Sequence, residues 1–200
     1  KDKELIRFGN DSAIIKADIK SCGIEKEITL KFEGKRNAYI NDKPQKSPSA
    51  LSEHFNACVF SPLDLSLASD GPSVKRRFMD LCLSQLFPKY LAALKSYTRA
   101  LDQRNTILRD AKYHAELTCL LDSVELTLHQ SAKIITDYRA RLCERFIETF
   151  GDIYKELSND KEKVSLEYIS KSGENLADEL KKSRSADILV GNTSIGPHRD

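Results

Sequence analysis

The spacing of apolar and polar residues divides the chain into a β-rich first part and a longer helical part. Apolar and charged residues alternate with a period of two from Ile24 to Phe32, and residues 13–19 and 37–40 have the composition of strands. The pairs Gly34-Lys35 and Asn41-Asp42 supply turn-forming residues beside these segments. The pattern predicts an antiparallel meander with one face in solvent.

From Pro72 onward, apolar residues recur at every third or fourth position, which is the helical period. Helices are predicted over 73–86, 88–112 and 116–157, and Gly151 is a point at which the last of these can break. Since the second and third helices are long and joined by a short turn, they should pack antiparallel as a helical arm. Smaller elements are also predicted, namely helices at 48–55 and 172–183, strands at 58–60, 164–169 and 187–190, and a shaped loop at 191–200. The fold class is therefore mixed α/β, β-rich first and helical afterwards.

Charge is distributed unevenly, although the formal net charge is only +2. Residues 71–112 contain 9 basic and 3 acidic side chains, a local excess of +6. The 5 cysteines are odd in number and dispersed, which argues against a disulfide framework and a zinc site. Their use favours a reducing, cytoplasmic compartment. The sequence has no apolar stretch long enough to span a membrane.

Motifs that would mark a self-contained active site are missing from the sequence. It has no GxxxxGK[ST] or GxGxxG phosphate-binding loop, no HExxH and no GxSxG. The four histidines have no metal-ligand spacing. We therefore predict no catalytic residues and no metal site in this chain.

Three segments could carry function, and each also has a purely structural interpretation. Lys75, Arg76 and Arg77 lie near a predicted helix N-terminus, where the helix dipole disfavours cations. Phosphate contacts would explain them, and so would a solvated cluster with one structural salt bridge.

The second segment is the basic helix 88–112, where cations alternate with Tyr90 and Tyr97. Lys95, Arg99 and Arg104 are its candidate DNA contacts, although the acidic helix 116–157 could instead neutralise it internally. The third is the loop that ends in Gly196, Pro197, His198, Arg199 and Asp200. Such a loop can line a ligand site, or an Arg–Asp pair can simply pin it.

All three segments, together with residues 60–65, resemble motifs of the RecF family. Phe60-Ser61-Pro62-Leu63-Asp64-Leu65 is similar to the family's FSPEDL, and 72–80 is similar to its PSxRRRFLD. Lys75 stands in place of the first arginine, which keeps the charge but loses the forked hydrogen bonding. Leu63 stands in place of a glutamate, so no role of that carboxylate carries over.

The resemblance continues, in the same order, to the end of the chain. It includes a Y…Y…QRN..L run and a closing GxTxxGPHRD stretch, carried by Tyr90, Tyr97, Gln103, Arg104, Asn105, Leu108, Arg184, Asp187, Gly191, Thr193 and 196–200. Nearly the whole chain is covered, which makes chance similarity a poor explanation.

The resemblance implies a bacterial, cytoplasmic ATPase with an ABC-type, Rad50-like head, acting in DNA repair, recombination, replication and the SOS response. Such proteins bind ATP with Mg²⁺, bind DNA, dimerise on ATP and work with RecO and RecR. The phosphate-binding loop would then precede Lys1, and the ABC signature and Walker B strand would follow Asp200. The chain would be an internal piece, with 1–70 in the head, 71–185 as a helical lobe and 186–200 returning into the head.

From this division we expect the chain itself to need no cofactor, to hydrolyse no ATP and to form no ATP-dependent dimer. The resemblance also places 196–200 near the nucleotide or the boundary between lobes. A second hypothesis is a structural helical arm of a chromosome-maintenance protein, with no DNA contact of its own. DNA binding and its salt dependence distinguish the two hypotheses.

Overall fold

The computed structural model describes residues 2–21, 23–55, 59, 61–170 and 175–200. It divides into two compact units, Lys1–Val59 and Phe60–Asp200. This division falls before the predicted boundary at residue 70, and the predicted return segment 186–200 belongs to the second unit. The mixed α/β fold class is confirmed.

The first unit contains a four-stranded antiparallel sheet in the order β1-β2-β3-β4. Its strands are β1 (Ser12–Ser21), β2 (Ile24–Glu33), β3 (Lys35–Ile40) and β4 (Lys43–Pro44), so the predicted meander is confirmed. Asn41 and Asp42 both have positive φ, +47° and +60°, which suits the two-residue turn between β3 and β4. Ile28 and Phe32 are buried, four residues apart on one face of β2.

A 3₁₀ helix occupies Pro48–Glu53, where a short helix was predicted. The strand predicted at 58–60 falls almost wholly outside the described residues, and Val59 is not in a strand.

The second unit is helical. Its helices are α1 (Ser66–Ser69), α2 (Pro72–Leu86), α3 (Pro88–Ala111), α4 (Leu121–Leu157) and α5 (Leu176–Val190), with 3₁₀ turns at Pro62–Leu65 and Ala115–Leu120. Phe87 is extended because the residue before a proline disfavours helical torsions, and Pro88 then begins α3. The helix α4 runs through Gly151 without a break.

The helices α3 and α4 form the predicted antiparallel pair. Phe87 and Tyr90, at the start of α3, contact the Tyr138 ring far along α4, while Arg104 near the end of α3 contacts Glu125 near the start of α4. Buried α3 residues are spaced three and four apart, a narrow coiled-coil seam. The core contains Leu83, Tyr90, Ala93, Tyr97, Ala100, Leu128, Ala132, Ile135, Leu176 and Leu180.

Two predicted strands near the end of the chain are wrong. Residues 164–169 form no strand, and 187–190 are the last turn of α5 rather than a strand. Asp187 must lie on this helix to meet the ion pairs described below. The predicted helix at 172–183 begins among residues outside the described part, and α5 continues seven residues beyond its predicted end. The loop 191–200 is irregular, as predicted.

Candidate nucleic-acid interface

An open groove of about 1110 Å³ runs along the exposed side of α3. We call it the α3 groove, and its charged side chains are Lys95, Arg99 and Asp102. Lys95 and Arg99 share its wall because they are four residues apart on one helix. Arg99 has no hydrogen-bond or ion-pair partner within the described residues. The groove therefore presents two cations and one carboxylate beside uncharged hydrogen-bonding groups, which are Thr98, Gln103, Thr106 and Ser123.

A smaller pocket of about 270 Å³ adjoins the groove, since Leu94 and Thr98 line both. We call it the arginine pocket because Arg76, Arg77 and Arg139 line it. The pocket is bounded by α2, α3, α4 and the loop 191–200. Arg76, Arg77, Lys95 and Arg99, which were predicted from the sequence, thus line one continuous concave surface.

Lys75 lies apart from that surface. It is exposed and lines a different, apolar depression with Phe78, Phe146 and Phe150. Successive helical residues point about 100° apart, so the three consecutive cations cannot all face the arginine pocket.

Arg104 was predicted to contact DNA, and the structure contradicts this prediction. Its side chain is 0% exposed, so it has no surface to offer a phosphate. Its Nε donates to Glu125 at 3.0 Å and its Nη1 to Asp187 at 2.7 Å. The same Nη1 donates to Thr193 Oγ1 at 2.9 Å, and Nη2 donates to the Leu180 carbonyl at 3.1 Å. Arg104 therefore connects α3, α4, α5 and the loop.

Glu125 and Asp187 extend this cluster. Arg184 donates to both carboxylate oxygens of Glu125 and also to Asp122, and its pKa is raised, first by the hydrogen bond with Glu125. Asn105 Oδ1 accepts from the Thr193 amide at 2.8 Å and from its hydroxyl at 2.7 Å. The residues that carry the family resemblance, Arg104, Asn105, Arg184, Asp187 and Thr193, therefore meet in one buried cluster.

Gly191 and Gly196 let the loop lie close to α3. Gly191 ends α5 with φ +75°, and a Cβ there would lie 2.9 Å from Arg109 Cγ. Gly196 has φ +124°, and a Cβ would lie 2.5 Å from the Tyr97 hydroxyl oxygen. Neither position accepts a side chain without strain.

His198 is fixed between α3 and its own loop. Its Nε2 lies 3.2 Å from the Thr193 carbonyl, which can only accept, so Nε2 carries the proton. Its Nδ1 then accepts from the Tyr97 hydroxyl at 2.7 Å. Burial lowers the pKa of His198, and the nearby Arg199 and Arg76 guanidinium groups act in the same direction. His198 is therefore a neutral hydrogen-bonding wall of the arginine pocket.

Arg139 is a buried residue of the arginine pocket that the sequence did not single out. Its Nη1 donates to the Pro197 carbonyl at 2.7 Å and its Nη2 to Asp80 at 2.8 Å. Tyr90 donates to the same Asp80 oxygen. Burial by itself would lower the pKa of Arg139, but Asp80, Tyr90 and Tyr168 together outweigh it and the net shift is upward. Its position four residues after Ile135, on the buried stripe of α4, was the available signal.

Arg199 and Asp200, the last two residues of the loop, differ in their contacts. Arg76 donates to the Asp200 carbonyl, and the Asp200 side chain accepts from Tyr168 at 2.7 Å. Arg199 is exposed, and its amide donates to the Gly196 carbonyl at 2.8 Å. The loop is thus held through Thr193, Pro197, His198 and Asp200.

Among the described residues, no group of three or more His, Cys, Asp or Glu side chains could hold a metal ion. No described helix is long and apolar enough to cross a membrane.

Sequence comparison finds relatives that match this chain along its whole length. The DNA replication and repair protein RecF of Agathobacter rectalis is 36% identical over 203 residues, which cover 100% of this chain and 56% of the relative. RecF of Clostridium perfringens is 33% identical over 208 residues, and RecF of Porphyromonas gingivalis 36% over 204. Both matches also include 100% of this chain. They cover 57% of the Clostridium perfringens protein and 55% of the Porphyromonas gingivalis protein. The chain spans just over half the length of these relatives. No protein-family model matches it.

Solved structures agree with the sequence comparison. Two structures of the recombination mediator protein RecF in the RecFOR pathway, RecF-ATPrS and RecF-ATP, superpose with TM-scores of 0.90 and 0.93. Their sequences are 28% and 26% identical to this one. Each alignment covers 100% of this chain and 57% of the solved chain.

Proposed function

Because the chain belongs to the RecF family, we propose that it serves a recombination mediator as a DNA-contacting part in repair, recombination and replication. The observation that carries this proposal is the continuous concave surface that contains Arg76, Arg77, Lys95 and Arg99. Arg77 and Arg99 have no hydrogen-bond or ion-pair partner in the described part of the chain. Unpaired guanidinium groups on a concave surface suit the phosphate backbone of nucleic acid.

Neutralising phosphates releases counterions, so the proposed contact is salt-dependent. Each lost phosphate contact lowers the slope of log affinity against log salt by about 0.7 to 0.9. The groove contains no aromatic side chain among its lining residues, so base stacking contributes little and sequence preference should be weak.

The experiment compares Arg77→Ala, Arg99→Ala and the double variant with the unaltered chain. Affinity for a single-stranded oligonucleotide and for a gapped duplex is measured by fluorescence anisotropy at 50 mM and 200 mM salt. We expect weaker binding and a slope reduced by about 1.4 to 1.8 in the double variant, the sum of two contacts. Arg141→Ala is the control, because Arg141 is exposed on α4 outside both concave surfaces.

A structural helical arm is the second candidate function. It is favoured by Arg104, a cation of α3 whose charge is satisfied internally by Glu125 and Asp187. Under this alternative, the double variant and Arg141→Ala bind DNA equally well, or the unaltered chain binds none.

For the full-length relatives we propose ATP with Mg²⁺ as the cofactor, and an ATP-dependent homodimer. The residues of this chain do not fit that cofactor by themselves. The sequence lacks GxxxxGK[ST], and the described residues offer no acidic cluster for the metal. We therefore propose that the chain alone neither turns over ATP nor dimerises on it. ATP turnover above a buffer blank would contradict this.

The proposed partners are mediator proteins of the RecO and RecR kind, since the similar solved structures are of RecF in the RecFOR pathway. The proposed compartment is the cytoplasm, and the proposed setting includes the SOS response. These follow from the family and apply to the whole protein rather than to a site in this chain.

A further inference from the structure

The arginine pocket differs from the α3 groove in shape. Four elements bound it, and its inner wall includes Tyr97, Ile135 and Pro197, all buried. Tyr97 and Ile135 belong to the apolar core of the second unit, and the Pro197 carbonyl accepts a hydrogen bond from the buried Arg139. A strand lying in the open groove can reach the pocket, because Leu94 and Thr98 line both. The small volume of the pocket and its four bounding elements favour a group at the end of a strand over a continuing backbone.

The charge of the pocket favours an anion. Asp80 is the acidic side chain among its lining residues, and Arg139 and Tyr90 both donate to its Oδ1. Arg76 donates one hydrogen bond to the Asp200 carbonyl, so its remaining donors and Arg77 supply the positive charge of the pocket. Arg77 has no hydrogen-bond or ion-pair partner within the described residues, and Ser73 adds a hydroxyl beside it.

Terminal and internal phosphates differ in charge and in free oxygens. A phosphate monoester carries about −1.5 to −2 at pH 7 and three acceptor oxygens, whereas an internal diester carries a single charge. Two guanidinium groups match the monoester, because each can donate two parallel hydrogen bonds to phosphate oxygens. A pocket of about 270 Å³ holds a phosphate group and has space for part of the attached sugar.

We propose that the arginine pocket binds the terminal phosphate of a nucleic-acid strand whose backbone lies in the α3 groove. The proposal rests on the proposed DNA contact and specifies it: the strand end is recognised by Arg76 and Arg77, and the backbone by Lys95 and Arg99. His198 and Pro197 close the pocket, so the loop 191–200 sets its depth.

The test uses the complete 200-residue chain and oligonucleotides of one sequence. One carries a 5′-phosphate, one a 3′-phosphate, and one has hydroxyl groups at both ends. We expect one phosphorylated end to bind about tenfold more tightly than the hydroxyl form, the effect of one charge-assisted contact. The two phosphorylated oligonucleotides identify which end is bound. Inorganic phosphate, added at constant ionic strength, shows whether a free anion competes.

Variants distinguish a contact in the pocket from a contact in the groove. The quantity compared is the affinity for the phosphorylated oligonucleotide divided by the affinity for the hydroxyl oligonucleotide. Arg77→Gln should lower the ratio of phosphorylated to hydroxyl affinity toward one, because it removes one of the two guanidinium contacts. Arg99→Gln should weaken both oligonucleotides by the same factor and leave the ratio unchanged. Arg77 and Arg99 are exposed, so both variants should keep the fold, and circular dichroism checks this.

Each outcome decides the proposal. A ratio near one for the unaltered chain, with DNA still bound, overturns the terminal-phosphate site and leaves the proposed DNA contact standing. A ratio that is undiminished in Arg77→Gln overturns it also, because Arg77 then makes no contact with the terminal phosphate. Failure of every oligonucleotide to bind overturns both the site and the proposed function.

Discussion

Arg104 shows how a charged residue can occupy a core position. It lies four residues after Ala100 and four before Leu108, on the buried stripe of α3. Four hydrogen bonds to three side chains and one carbonyl replace the water that its guanidinium loses. Such a cluster adds little net stability compared with an apolar core, but it is expensive to break because uncompensated charges remain buried.

Arg104→Ala should therefore lower the free energy of unfolding by about 3 to 5 kcal/mol, since Glu125 and Asp187 lose their shared partner. Urea unfolding followed by circular dichroism measures the change. Arg141→Ala, at an exposed position of α4, should alter it by less than about 0.5 kcal/mol. Equal effects of the two substitutions would show that the buried cluster does not contribute as described.

His198 makes the stability of the helical unit depend on pH. Its pKa is lower in the folded protein than the ordinary value of 6.5, mainly because the ring is buried. As pH falls, the unfolded chain takes up the proton first. The His198 contribution is thus complete above about pH 6.5 and is lost as pH falls toward the folded pKa.

We expect the free energy of unfolding to decrease from pH 7.5 to 5.5, by up to about 1.4 kcal/mol per pH unit from this one proton. His198→Gln keeps an uncharged hydrogen-bonding side chain but cannot titrate. Urea unfolding at pH 7.5, 6.5 and 5.5 should give a shallower pH dependence for this variant. If the free energy of unfolding changes equally with pH in the unaltered chain and in His198→Gln, groups other than His198 cause the pH dependence.

At the scale of elements, local signals predicted most of the fold. Period-two alternation gave β2, and prolines 72 and 88 marked the first turns of α2 and α3 within a residue. These signals are local because turn and capping preferences act between near neighbours. The cations of the arginine pocket on α2 and of the α3 groove were also predicted, since a local excess of basic residues is visible in the sequence itself.

The predictions that failed concern residues whose structure depends on partners far away in the sequence. Residues 187–190 have strand composition, yet Asp187 must lie on a helix to meet Arg104, 83 residues away in sequence. Residues 164–169 have an apolar pattern, but they form no strand ladder. Arg104 was assigned to the surface because residue type outweighed its position on the stripe. Tertiary partners decide such cases, and a single sequence does not display them.

At the scale of the whole molecule, the features proposed to act on DNA lie within Phe60–Asp200. This unit contains the apolar core, the Arg104 cluster, the α3 groove and the arginine pocket. The sheet of the first unit has its own buried residues, Ile28, Phe32 and Ala38. Each unit therefore has an apolar interior from which to fold.

A chain consisting of residues 60–200 should consequently fold and bind DNA by itself. We expect its helical signal to unfold cooperatively in urea, with a free energy within about 1 kcal/mol of the helical transition in the complete chain, because its core and ion pairs are internal. Arg104→Ala should lower stability equally in both chains, since sites without shared partners are additive. A non-cooperative transition in 60–200, or an Arg104→Ala effect confined to the complete chain, would mean that the first unit is needed to order the helices.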